Sequence, residues 1–133
     1  MDLPKTEATF DFKEVGETTG KEYAGRFTVH CVLNMARKHL LELEKTRLLA
    51  NFLNPTDGLV GIASILAHLR TKISDGPEWW KQSDGGADIL DEDILIKLFQ
   101  KCAEKEQEWK AAVKAKAKAA EGPLDPNAPS ESK

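Results

Sequence analysis

The stretches Thr9-Phe10-Asp11-Phe12-Lys13-Glu14-Val15 and Tyr23-Ala24-Gly25-Arg26-Phe27-Thr28-Val29-His30-Cys31 decide the fold. In the first, Phe10 and Phe12 fall on one side of a two-residue period. In the second, Phe27, Val29 and Cys31 share one side, and Arg26, Thr28 and His30 take the other. Between them, Gly16-Glu17-Thr18-Thr19-Gly20-Lys21 is rich in turn formers. Two alternating runs across a Gly-bounded break predict a β-hairpin with one apolar face. A lone hairpin is marginal in water, so that face requires a helical cover.

The period then changes. Leu33, Ala36, Leu40 and Leu43 recur at three- and four-residue spacing, with Leu41, Leu48 and Phe52 on a neighbouring stripe. This predicts an amphipathic helix over Asn34 to Leu53 with a broad apolar face. Pro55 stops it, and Thr56 or Asp57 caps a second helix. That helix carries Leu59, Ile62, Ala63, Leu66, Leu69 and Ile73 and runs to about Ser74. Asp75 to Asp88 reads as a loop holding Trp79, Trp80 and Gly85-Gly86. A third helix begins near Asp91, with Glu92 and Asp93 favouring its dipole, and Ile94, Leu95, Leu98, Phe99, Cys102, Trp109 and Val113 as its stripe. Past Val113, Lys-Ala repeats lack an apolar face and project or fray. The expected organisation is a flexible lead over residues 1–8, a single α+β domain over 9–120, and a disordered Pro-containing tail over 121–133. The expected fold class is thus α+β, with an N-terminal β-hairpin packed on about three α-helices.

The 133 residues carry a net charge of -3, with pI about 5.6 and mean hydropathy -0.45. This balance gives no global pull toward nucleic acid or anionic lipid. No run reaches the length of a membrane span and no apolar leader follows Met1, so a cytosolic protein is expected. Cys31 and Cys102 lie in apolar patterns and read as buried thiols of a reducing compartment. His30, His39 and His68 are scattered without ligand spacing. Asp84, Asp88, Asp91, Glu92 and Asp93 miss the calcium-loop spacing and read as solvated helix-start acids. Ser64 and Ser74 lack a Gly-rich elbow, and neither Gly-rich break matches a phosphate-binding fingerprint. Lys110, Lys114, Lys116 and Lys118 read as a solvated helix end, spread around its circumference. No catalytic, cofactor or metal site is expected.

What remains is Asp75-Gly76-Pro77-Glu78-Trp79-Trp80-Lys81. Adjacent tryptophans on one turn cannot both enter one core from one helix face. Either one closes the core while the other packs on the loop, or at least one anchors a partner. The expected contact groove consists of Trp79, Trp80, Phe52 and Leu53, with Arg70 and Lys81 as its charged rim. The hairpin also has open edges, natural templates for a strand from another chain, so homo-oligomerisation is plausible on this reading.

The order of parts resembles the small tail assembly chaperones and related morphogenesis proteins of long-tailed bacteriophages. The resemblance runs from Phe10-Asp11-Phe12 and Arg26-Phe27-Thr28-Val29, through Glu44-Lys45-Thr46-Arg47-Leu48-Leu49 and Ile65-Leu66-Ala67-His68-Leu69-Arg70, to Gly76-Pro77-Glu78-Trp79-Trp80. It covers roughly Thr9 to Trp109. It implies a non-enzymatic protein of the host cytoplasm that binds phage tape measure and tail tube proteins and keeps their apolar helices soluble before assembly. Neither nucleic acid nor membrane is an expected partner. Other functions compatible with the sequence are a structural virion component of tail or capsid, or a small inhibitor of a host defence protein.

Overall fold

A computed structural model of the chain describes residues 3–121. Strands β1 (Glu7–Val15) and β2 (Glu22–His30) form the antiparallel hairpin in one unbroken register, with Phe10 opposite Phe27 and Asp11 opposite Arg26. Phe10, Phe12, Tyr23, Phe27 and Val29 are buried on the inner face, while Asp11, Lys13, Ala24 and Arg26 face outward. The two-residue period therefore does what it predicts. β1 begins earlier than the alternation suggests: Glu7 and Ala8 pair with His30 and Val29, and the Cys31 amide donates to the Thr6 carbonyl at 2.6 Å.

Helix α1 (Met35–Leu49) starts at Asn34, whose side chain accepts from the Arg37 amide. It ends four residues before Leu53. The Ala50 and Phe52 amides turn back to the Arg47 and Leu49 carbonyls, a tighter winding that ends the helix ahead of Pro55. Helix α2 (Asp57–Lys72) is capped by Thr56, which accepts from the Leu59 amide. Its chain leads directly into β3 (Ile73–Asp75), which pairs with β2 and completes a three-stranded antiparallel sheet in the order β1-β2-β3. The fold is α+β, as expected, with one strand more than the hairpin. Three residues at a helix exit are too few to show a period.

A single turn, α3 (Glu78–Lys81), interrupts the stretch read as loop. Helix α4 (Glu92–Glu121) then runs for 30 residues, about 45 Å. It continues through the Lys-Ala repeat, where alanine and lysine are strong helix formers. The expected disordered tail lies, apart from Glu121, outside the described residues. α2 and α4 cover the inner face of the sheet, and Phe27, Val29, Leu69, Ile94 and Leu98 are fully buried between them. α1 leans on α2 around a smaller cluster of Leu33, Leu41 and Ala67.

Asp91 ties the start of the last helix to the hairpin loop. Although it immediately precedes α4, its carboxylate is buried and serves the hairpin loop. It accepts from the Thr18 and Thr19 amides at 2.8 and 2.9 Å, from the Thr19 hydroxyl at 2.6 Å and from the Tyr23 hydroxyl at 2.7 Å. Gly16 makes room for it, since a Cβ there would lie 2.1 Å from the Asp91 carboxyl carbon. The reading of Asp91 as one of several solvated acids is thereby corrected. A second glycine is required at Gly86, where φ is +91° and an added Cβ would stand 3.0 Å from Leu66, Leu95 and Trp80. That combination of conformation and contact excludes a side chain.

Candidate functional site

The tryptophan pair is spent on the interior. Successive residues of a helical turn diverge by about 100°, so the two indoles reach different parts of one aromatic layer. Trp80 is 7% exposed and meets Phe27 edge-on at 6.1 Å. Trp79 is half-buried against Tyr23, Phe27 and Phe12, at 5.0, 5.6 and 6.3 Å between ring centres. Its indole N–H donates to the Ala24 carbonyl at 2.9 Å. Pro77 brings the turn this close because Gly25 offers no side chain against it. Of the two expected readings, this geometry fits the one in which one tryptophan, Trp80, closes the core while the other, Trp79, packs beside it. The inner face of the hairpin holds four aromatic rings, and both indoles pack against it. Trp109 is also half-buried and donates to the Pro4 carbonyl at 3.3 Å.

Arg70, expected on the charged rim, lies between α1, α2 and the loop at Asp84 and Gly85. Its side chain is 14% exposed. The guanidinium pairs with Glu44 on α1 and donates to the Gly85 carbonyl at 3.1 Å and to the Asp84 carbonyl, pinning that loop to α2. Glu44 answers both Arg47 and Arg70. The Arg47 hydrogen bonds are the strongest influence, burial opposes them, and with Arg70 they hold the carboxyl down at about 2. Lys81 is exposed and pairs with Asp75 at 3.4 Å.

Phe52 and Leu53 are where the sequence reading places apolar contact surface. Both are exposed, Leu53 at 97%, and among the described residues neither belongs to either core cluster. They are not joined by the tryptophans but follow α1, whose two apolar stripes have separate fates. The stripe containing Leu41 and Leu48 turns inward. The stripe Ala36, Leu40 and Leu43 turns outward, with Leu40 and Leu43 54% and 53% exposed and Met35 exposed at the start of the helix. The outward face of α1 and the segment after it thus form a continuous stretch of sequence, 35–53, with five exposed large apolar side chains. The spacing of Ala36, Leu40 and Leu43 was the available signal, but read alone it belonged to the core.

Beside α1, a cavity of about 420 Å³ opens between α1, α2 and α4, lined by Leu33, Leu41, Lys38, His68, Lys72 and Lys110 among others. Three of its charged residues pair with one another. Lys72, nearly buried, donates to Glu106 at 2.8 Å, and Lys110 pairs with the other oxygen at 2.9 Å. Burial alone raises the Glu106 carboxyl, but the two lysines outweigh it and bring it to about 2. His68 places its Nδ1 2.8 Å from the Ser64 carbonyl and its ring edge-on to Phe99. His39 lies exposed on α1, and burial lowers the half-buried His30 of β2. Cys31 and Cys102 are buried and unbridged, and burial pushes the Cys102 thiol up to about 11. A thiol so held is not a nucleophile at neutral pH. Lys110, Lys114 and Lys118 follow one another at four-residue spacing on α4 and so line one side of it, more closely grouped than the sequence reading had them.

No described helix is long and apolar enough to cross a membrane. No protein-family model, curated protein or solved structure matches this chain.

Proposed function

We propose that this protein is a non-enzymatic assembly factor of a long-tailed bacteriophage. In this reading the outward face of α1 receives apolar helical segments of the tape measure and tail tube proteins and keeps them soluble in the host cytoplasm. One observation carries the reading: Leu40 and Leu43 face water on a helix whose inner stripe is already buried, and Phe52 and Leu53 prolong that surface. A folded monomer gains nothing from these side chains where they stand. An amphipathic segment laid on α1 does, on the order of 1 kcal/mol for each half-exposed side chain it covers. Association costs offset much of that gain. The contact is therefore weak and reversible, as a factor that must surrender its client requires. Contacts of this type use anchors at three- and four-residue spacing, which Ala36, Leu40 and Leu43 supply.

The test is co-expression of the chain with a tape measure protein of a long-tailed bacteriophage, comparing wild type with Leu40→Ser/Leu43→Ser. Wild type is expected to hold the client in the soluble fraction and co-purify with it. The double variant is expected to remain folded and lose the client. Retention of the client by the folded double variant overturns the assignment of the site. Absence of wild-type protein from purified particles separates an assembly factor from a virion component.

A further inference from the structure

We infer that the free edge of β1 is a self-association surface, on which β1 of a second copy pairs antiparallel to give a six-stranded sheet. The inference concerns a different surface from α1 and does not rest on the function proposed above. The sheet order β1-β2-β3 leaves β1 without a neighbour on its outer side among the described residues. Natural edges are commonly blunted by shortness, proline, a bulge or charged side chains; the charges of β1, Asp11 and Lys13 outside and Glu14 inside, turn away any strand that does not complement them. β1 has nine residues, no proline and no irregularity in its ladder with β2, whereas the opposite edge, β3, has only three residues.

The direction of the backbone groups follows from the two ends of the hairpin. The Cys31 amide donates to Thr6, and the Gly16 amide to Lys21. In an unbroken antiparallel ladder hydrogen-bonded pairs alternate, so the even-numbered residues of β1 bond to β2. The amides and carbonyls of Thr9, Asp11, Lys13 and Val15 therefore point to the open edge. The side chains of these same residues lie on the outer, exposed face.

A two-fold axis at Phe12 makes this edge complementary to itself. Asp11 then faces Lys13 of the second copy and Lys13 faces Asp11, while Thr9 and Val15 face each other in both directions. Phe12 meets its own copy on the inner face, and Phe10 lies across from Glu14, whose carboxylate is drawn to Lys97 at 3.5 Å. Arg26 stands 3.1 Å from Asp11 on the other side. Each cross-sheet row thus reads Arg26, Asp11, then Lys13 of the second copy, alternating in sign. Cross-strand pairs of opposite charge favour a register, and like charges oppose it. Shifting the axis by one residue sets Asp11 or Lys13 against itself.

The experiment is molar mass in solution by light scattering at high micromolar concentration. Wild type is expected at twice the 14.7 kDa chain mass. Asp11→Lys alone and Lys13→Asp alone are expected at the chain mass with unchanged circular dichroism, because Asp11 is 77% exposed and its pairing with Arg26 is a surface one. An equimolar mixture of the two single variants restores both opposite-charge pairs and is expected to return to the double mass. The same inference needs no variant in hydrogen exchange: the amides of Thr9, Asp11, Lys13 and Val15 gain protection as wild-type concentration rises. A wild type at the chain mass, single variants that stay double, or a mixture that stays single overturns the inference.

Discussion

Asp91 is buried and yet held as a charge. Burial pushes its pKa up, but the Thr19 hydroxyl, the Tyr23 hydroxyl and the Thr19 and Thr18 amides together bring it to about 2, below its ordinary value of 3.8. A folded-state pKa below the unfolded one contributes stability that is complete above pH 4 and is lost as pH falls toward 2. Glu44 and Glu106, also held at about 2 but from an ordinary value of 4.5, extend the loss to higher pH, so that it begins as pH falls below about 5. Thermal melts are expected to give a Tm that drops over that interval. Asp91→Asn is expected to lower the Tm at pH 7 and to flatten part of the acid dependence. A dependence as steep as wild type would contradict the role given to Asp91. Gly86→Ala is expected to cost about 1–3 kcal/mol in denaturant titration, since the new methyl meets Leu66, Leu95 and Trp80 in a conformation that disfavours it. The sequence showed an acid near the start of α4 but not its donors, because Thr18 and Thr19 lie more than seventy residues away. Long-range hydrogen bonds leave no periodic trace.

At the scale of elements, the hairpin and the three long helices were legible because each carries its own period and stop signals. Asn34, Thr56 and Pro55 mark boundaries that local chemistry enforces. β3 and α3 were not legible, since three or four residues cannot display a period. α1 shows where pattern reading ends. Its two stripes have similar residues and spacings, and only the position of α2 decides that Leu41 is core and Leu40 is surface. The tryptophans show the same limit: their adjacency was visible, but the aromatic face that receives both was assembled from β1 and β2. Stability should follow this division. Leu41→Ala is expected to cost about 2–5 kcal/mol. Leu40→Ser/Leu43→Ser is expected to stay within about 0.5 kcal/mol per site. Equal losses in urea titration would mean that both stripes are buried in solution.

At the scale of the whole molecule, the apolar surface is divided. The sheet, α2 and α4 close over one core, and the indoles are absorbed in it or against it. α1 keeps a second face on the outside, and among the described residues β1 keeps a free edge. α4 runs on beyond the sheet it covers, its last turns carrying Lys114 and Lys118 in water. The surface apolar stretch of α1 offers contact area. The central claim is that this area on α1 holds a client. Soluble yield of the co-expressed tape measure protein, measured with wild type and with folded Leu40→Ser/Leu43→Ser, tests it most directly. Wild type is expected to give a soluble client and the double variant an insoluble one. Equal soluble yield with both would contradict it.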